Sequence, residues 1–162
     1  MKIRTVTLAY QGGETFSGKT GTDRSYVFGD VRDANEYSPV ETIVASLAAC
    51  SGMDVIGVLV KKRQVIDTYD VEAHAEQRDE FPQILTKVEV VHVVEGPVVL
   101  EQAVRRAIEL SATKYCPVNA MLSAGATEIH HRFRMKCTGL EPKEAEGLVV
   151  VTGPFRRPDA VA

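Results

Sequence analysis

The chain has 162 residues, 44% of them hydrophobic and 25% charged, with a formal net charge of −3 and a pI near 5.8. That length suits one domain with a real core, and the mild acidity excludes the basic face that nucleic-acid binding needs. Met1 to Leu8 lacks the apolar core of a signal peptide, and the longest apolar run is interrupted by Glu41 and Asp54, so no membrane span is read and a reducing, cytoplasmic setting is expected.

Taken in chain order, 2–10, 13–19 and 23–29 read as short strands. They are rich in Thr, Val, Tyr and Phe and are separated by Gly12-Gly13 and Gly21-Thr22-Asp23. Residues 30–37 read as a polar loop. A long helix is predicted over 39–63: Ser38 is a good N-cap, Pro39 fits the first helical position and Glu41 completes a capping box. Lys61-Lys62-Arg63 suits its negative end. The body is apolar on nearly every side, which predicts burial on every side. Strands follow over 67–78 and 84–94, with partial alternation that predicts a sheet covered on one face. A second helix is predicted over 98–112, a short one over 117–123 and a strand over 126–136, with a further strand at 148–151 in the tail. Strands, a buried helix, strands and two more helices make an α+β domain. One small sheet cannot cover a helix that is apolar all round, so a homodimer is expected.

The three cysteines are Cys50, Cys116 and Cys137, and no C-x-x-C spacing of the metal-binding kind joins them. Cys50 lies mid-helix and Cys116 at the start of the 117–123 helix, a pattern that suggests a two-cysteine redox device. The thiolate is the reactive form. Cys116 occupies an N-cap, where free N–H groups and the helix dipole favour an anion. Cys50 has no such help, and Asp54 one turn on is a like charge, which disfavours a thiolate. Local sequence therefore makes Cys116 the more acidic thiol. A free cysteine is also a small hydrophobe, so a plain core role stands beside the redox one for both. Cys137 reads as incidental. Glu41 is explained as a capping residue, and about nine residues of helix separate it from Cys50, so only a partner subunit's copy could reach that thiol. His130 and His131 are adjacent on a strand and point to opposite faces. His74 and His92 read as surface or structural residues.

The stretch Ser38-Pro39-Val40-Glu41 through Ala48-Ala49-Cys50-Ser51-Gly52-Met53-Asp54, followed by Lys61-Lys62-Arg63, resembles the central helix of the OsmC/Ohr family. Ala112-Thr113-Lys114-Tyr115-Cys116-Pro117-Val118 resembles that family's second cysteine motif, and Arg78-Asp79-Glu80-Phe81-Pro82 is similar to its OsmC-like branch. The resemblance covers about 1–136, leaving 137–162 as a C-terminal extension. It implies antiparallel sheets around a long central helix in an intertwined homodimer, and thiol-dependent reduction of organic hydroperoxides. In that scheme Cys50 attacks the peroxide and becomes a sulfenic acid, and Cys116 condenses with it to a disulfide. A dithiol, lipoyl-linked in the best-known branch, restores the thiols. No metal, organic cofactor, nucleic acid or membrane is implied.

The resemblance thus reverses the local acidity argument, which requires a cation from elsewhere in the fold. The hydroperoxide-reducing branches place a glutamate directly after the motif proline, paired with an N-terminal arginine. Here Val40 holds that place and Glu41 follows it; Arg24 is the first stand-in for the arginine, with Arg4 and Arg78 behind it. That departure keeps two other functions open: a non-catalytic small-ligand-binding protein and a redox sensor.

Overall fold

Ser38 starts the central helix as its sequence predicts. In the computed structural model, which describes residues 1–29, 31 and 35–154, α1 runs from Pro39 to Lys61. The backbone N–H of Glu41 donates to Ser38 Oγ (3.4 Å), and the Thr42 amide and hydroxyl both donate to the Ser38 carbonyl. At the other end Arg63 turns left-handed, φ 57°, and the Gln64 N–H closes onto the Leu59 carbonyl.

The chain divides into two units, Met1–Ile43 and Val44–Ala162. The first is a meander of β1 (Val6–Gly12), β2 (Thr15–Thr20) and β3 (Ser25–Phe28), joined in that order, followed by the start of α1. Gly12 and Gly13 make the first turn at φ 111° and 57°, values that favour glycine. Tyr10 packs against Phe16, and Tyr26 against Phe28. Part of the loop read over 30–37 lies outside the described residues.

The second unit carries the sheet β4 (Thr68–Gln77), β5 (Leu85–Gly96), β6 (Glu128–Cys137) and β7 (Lys143–Thr152), hydrogen-bonded in sequence order. β4–β5 and β6–β7 are antiparallel, whereas β5–β6 is parallel. The parallel pair needs a crossover, and helices supply it: α2 (Glu101–Leu110), one π-helical turn (Ser111–Tyr115) and α3 (Pro117–Ser123). Ile129, His131, Phe133 and Met135 alternate inward on β6, while Arg132, Arg134 and Lys136 pair with Glu89, Glu72 and Glu95 on the other face. Val55 and Leu59 of α1, Val104 and Ile108 of α2, and Val94, Phe133 and Met135 of the sheet form one core.

The strand read at 148–151 is the second half of β7, a full member of this sheet; residues 155–162 lie outside those described. The helix read over 98–112 ends as an α-helix at Leu110, where the wider π turn takes over.

Within the single chain α1 is covered along one side. Its buried residues are Leu47, Ser51, Gly52, Val55 and Leu59, a single stripe, while Met53 is 75% and Val60 63% exposed. By length and composition alone this helix is long and apolar enough to cross a membrane, a test that core helices also pass. Gly52 lets it approach β4: a Cβ there would stand 3.1 Å from Val71 Cγ2.

Candidate active site

Cys50 and Asp54 are one turn apart on α1, and Cys116 enters from the crossover. The π turn makes that entry possible. Its extra residue swings the chain so that the Cys116 N–H returns to the Ser111 carbonyl and Cys116 itself is extended, φ −73° and ψ 104°. Pro117 then opens α3, and Cys116 Sγ accepts the Asn119 N–H at 3.3 Å as a true N-cap. The sulfurs of Cys50 and Cys116 and a carboxylate oxygen of Asp54 all lie within 4.8 Å of one another. Cys50 and Asp54 are half-buried; Cys116 is 2% exposed.

The predicted acidity of Cys116 does not survive this environment. Burial pushes the thiol up to about 12 against the lowering effect of the Asn119 N–H, and the neighbouring Cys50 thiol raises it further. The cap was read correctly; the desolvation that outweighs it comes from tertiary packing. Cys137 lies apart, with its sulfur 3.5 Å from the Pro97 carbonyl, and backbone N–H groups of Val99 and Gly139 hold its thiol below the ordinary range.

Behind the three groups runs a buried polar chain. Ser111 Oγ donates to Asp54 Oδ2 (3.1 Å) and lies 3.3 Å from Ser51 Oγ. Ser51 Oγ is 3.2 Å from His92 Nε2, and Tyr69 Oη is 2.7 Å from His92 Nδ1. Burial, helped by His131, lowers His92 to about 3, so this imidazole is neutral, with one nitrogen donating and the other accepting. Burial, with the Asp54 carboxylate second, holds the Tyr69 phenol far above its ordinary value.

A second chain supports Cys116. Asn119 Nδ2 donates to the Ala112 carbonyl of the π turn (2.8 Å), which leaves its Oδ1 to accept from His131 Nε2 (2.9 Å) and Thr152 Oγ1 (3.1 Å). One asparagine thereby ties the cap of Cys116 to the π turn, β6 and β7. His131 Nε2 carries the hydrogen, so Nδ1 holds a lone pair with no partner among the described residues, and burial, with His130 second, lowers the ring to about 4.

The sequence reading missed this surround. His92 is an interior residue, and His131 is the inward member of the His130-His131 pair. The available signal was a polar residue inside an apolar run: His92 continues the inward row of Val88 and Val90, and Ser111 ends the apolar face of α2. The other predicted groups stay at a distance in sequence or are engaged elsewhere. Glu41 sits in the first turn of α1 at its cap, Arg24 lies in the β2–β3 turn with its N–H on Thr20 Oγ1, and Arg4 precedes β1. Arg78 Nε donates to the Pro82 carbonyl of its own loop at 2.6 Å.

A family model described as OsmC-like protein matches residues 32–132. Protein YhfA of Escherichia coli K12 is 32% identical over 123 residues, covering 76% of this chain and 91% of that protein. A hypothetical protein from Aquifex aeolicus VF5, solved by crystallography, is 29% identical and superposes with a TM-score of 0.73 over 84% of this chain and 99% of that one. An organic hydroperoxide resistance protein from Elizabethkingia anophelis shares the fold at 16% identity, with a TM-score of 0.62 over 85% of this chain and 98% of its own.

Proposed function

The chain belongs to the OsmC-like protein family, and from that membership we propose that it is a thiol peroxidase for organic hydroperoxides with Cys50 and Cys116 as its redox pair. The observation that carries this reading is the approach of two sulfurs from α1 and from the α3 cap to within 4.8 Å. Disulfide sulfurs are about 2.05 Å apart, so bond formation draws the two side chains together from that separation.

Exposure sorts the roles. Cys50, half-buried, meets the peroxide; Cys116, 2% exposed, waits beneath it. The Cys50 sulfur attacks one peroxide oxygen, the O–O bond breaks, and the alcohol leaves with a proton, giving a sulfenic acid. The Cys116 sulfur then displaces the hydroxyl as water and the disulfide forms. A dithiol returns two electrons and two protons, and a reducing cytoplasm suits such a cycle.

A second copy of the chain belongs to this reading. α1 leaves Met53 and Val60 open, an uncovered apolar surface on the helix that bears Cys50. Two grooves of about 790 and 470 Å³, lined respectively by residues such as Arg105 and Arg106 and by Arg134 and Glu144, include neither thiol. A homodimer would cover α1 and complete a pocket over Cys50 for the alkyl part of the substrate, where a partner's arginine, Arg24 foremost, would serve as the activating cation.

The test is stopped-flow oxidation of the reduced protein by cumene hydroperoxide and by hydrogen peroxide. The expected result is faster thiol loss with the organic peroxide, abolished in Cys50→Ser and halted at a sulfenic acid in Cys116→Ser. Slow reaction with both peroxides would reject the reading.

A further inference from the structure

Cys50 and Asp54 stand at i and i+4 on one helix face, a spacing at which two side chains can grip one ion. Cys116 brings a second sulfur from a different element. We propose that the reduced Cys50, Asp54 and Cys116 form a binding site for a thiophilic divalent cation of the zinc class. This site stands whether or not the peroxidase reading holds.

The dimensions fit. A tetrahedral zinc takes thiolate sulfur at about 2.3 Å and carboxylate oxygen at about 2.0–2.2 Å, so its ligand atoms lie roughly 3.5–3.8 Å apart. The three donors here are already within 4.8 Å of one another, and an adjustment of about 1 Å closes the site. Two sulfurs and one oxygen select zinc or cobalt over magnesium and calcium, which take oxygen ligands. Cys116 is buried while Cys50 and Asp54 are half-open, which gives three protein ligands and a fourth position facing outward.

Two further observations point the same way. The outer hydrogen bonds that orient metal ligands are in place: Ser111 Oγ donates to Asp54 Oδ2, and the Asn119 N–H donates to Cys116 Sγ. Ser111 is itself fixed through Ser51 to His92. The charge balance is also one-sided. Three acidic side chains converge, their donor atoms within 4.8 Å of one another. A divalent ion supplies the missing positive charge, displaces the thiol protons as it binds, and keeps both sulfurs from joining each other.

The full chain, reduced and stripped with a chelator, is titrated with cobalt(II) without oxygen. One equivalent is expected to give the visible bands of tetrahedral cobalt and an intense sulfur-to-metal charge-transfer band, both displaced by zinc. Cys137→Ser should leave this unchanged. Cys50→Ser and Cys116→Ser should each remove the one-equivalent endpoint. Asp54→Asn should weaken binding roughly tenfold or more, and Ser111→Ala, which leaves every ligand in place, roughly ten- to a hundredfold. Circular dichroism of each variant checks that it is folded before titration. A spectrum of octahedral aquo-cobalt alone, a charge-transfer band that survives loss of either cysteine, or an unchanged affinity in folded Asp54→Asn would overturn the site.

Discussion

Ser111 donates its hydroxyl to Asp54 Oδ2 at 3.1 Å, linking the first residue of the π turn to the helix that carries Cys50. Ser111 is fully buried and also reaches Ser51 Oγ, so its removal leaves two polar groups short of a partner. Ser111→Ala should cost about 1–3 kcal/mol of stability, read from the shift in urea midpoint. A loss within a few tenths of a kcal/mol would show that Asp54 finds other partners at no cost.

Acid should unfold this protein through its buried histidines. His92 and His131 have folded pKa values near 3 and 4, below the ordinary 6.5. The unfolded chain therefore binds more protons below pH 6.5, and stability falls as pH drops from 6.5 toward 4. Each histidine contributes a slope of about 1.4 kcal/mol per pH unit within its window. Tyr69, hydrogen-bonded to His92, has its phenol held far above its ordinary value and stays neutral across this range. Urea midpoints measured from pH 8 to 4 check this, and His131→Gln should flatten the slope by about half between pH 6 and 4.5. An unchanged slope would mean that His131 is not buried neutral.

The close contact of α1 with β4 gives a prediction at Gly52. Gly52→Ala should be nearly neutral, because the roughly 1 kcal/mol gain in helix propensity meets a Cβ placed 3.1 Å from Val71 Cγ2. Gly52→Leu has no such room and should cost about 1–3 kcal/mol or more. Thermal denaturation of both variants separates these outcomes, and a stabilising leucine would contradict the packing.

The cysteines should alkylate in a set order. At pH 8 Cys116, buried and pushed up to about 12, is mostly thiol, whereas Cys137 is held below the ordinary range by backbone N–H groups. Timed iodoacetamide labelling followed by peptide mass spectrometry should find Cys116 modified at least roughly tenfold more slowly than Cys137. Equal rates would contradict the burial of Cys116.

Much of this was legible in the sequence, wherever chemistry acts locally. Ser38-Pro39 marked the start of α1, and Cys116-Pro117 marked α3 to the residue. β7 was read short because its first half, Lys143 to Glu146, is polar; its place is set by pairing with β6 and by Lys143 on Glu101 and Lys136 on Glu144, which periodicity does not register. The π turn was missed because one inserted residue breaks the 3.6-residue period on which a helix is read. His92 meets Ser51 only because β5 lies beneath α1, a juxtaposition that the order of residues does not announce. The acidity of Cys116 failed for the same reason: the cap is local, the burial is not.

The central claim is that Cys50 and Cys116 act as one redox pair. The most direct test treats the reduced protein with one equivalent of cumene hydroperoxide, then maps its disulfides by peptide mass spectrometry. The account predicts the loss of two thiols, a Cys50–Cys116 bond and a free Cys137. Full retention of thiols, or a disulfide that includes Cys137, would contradict it.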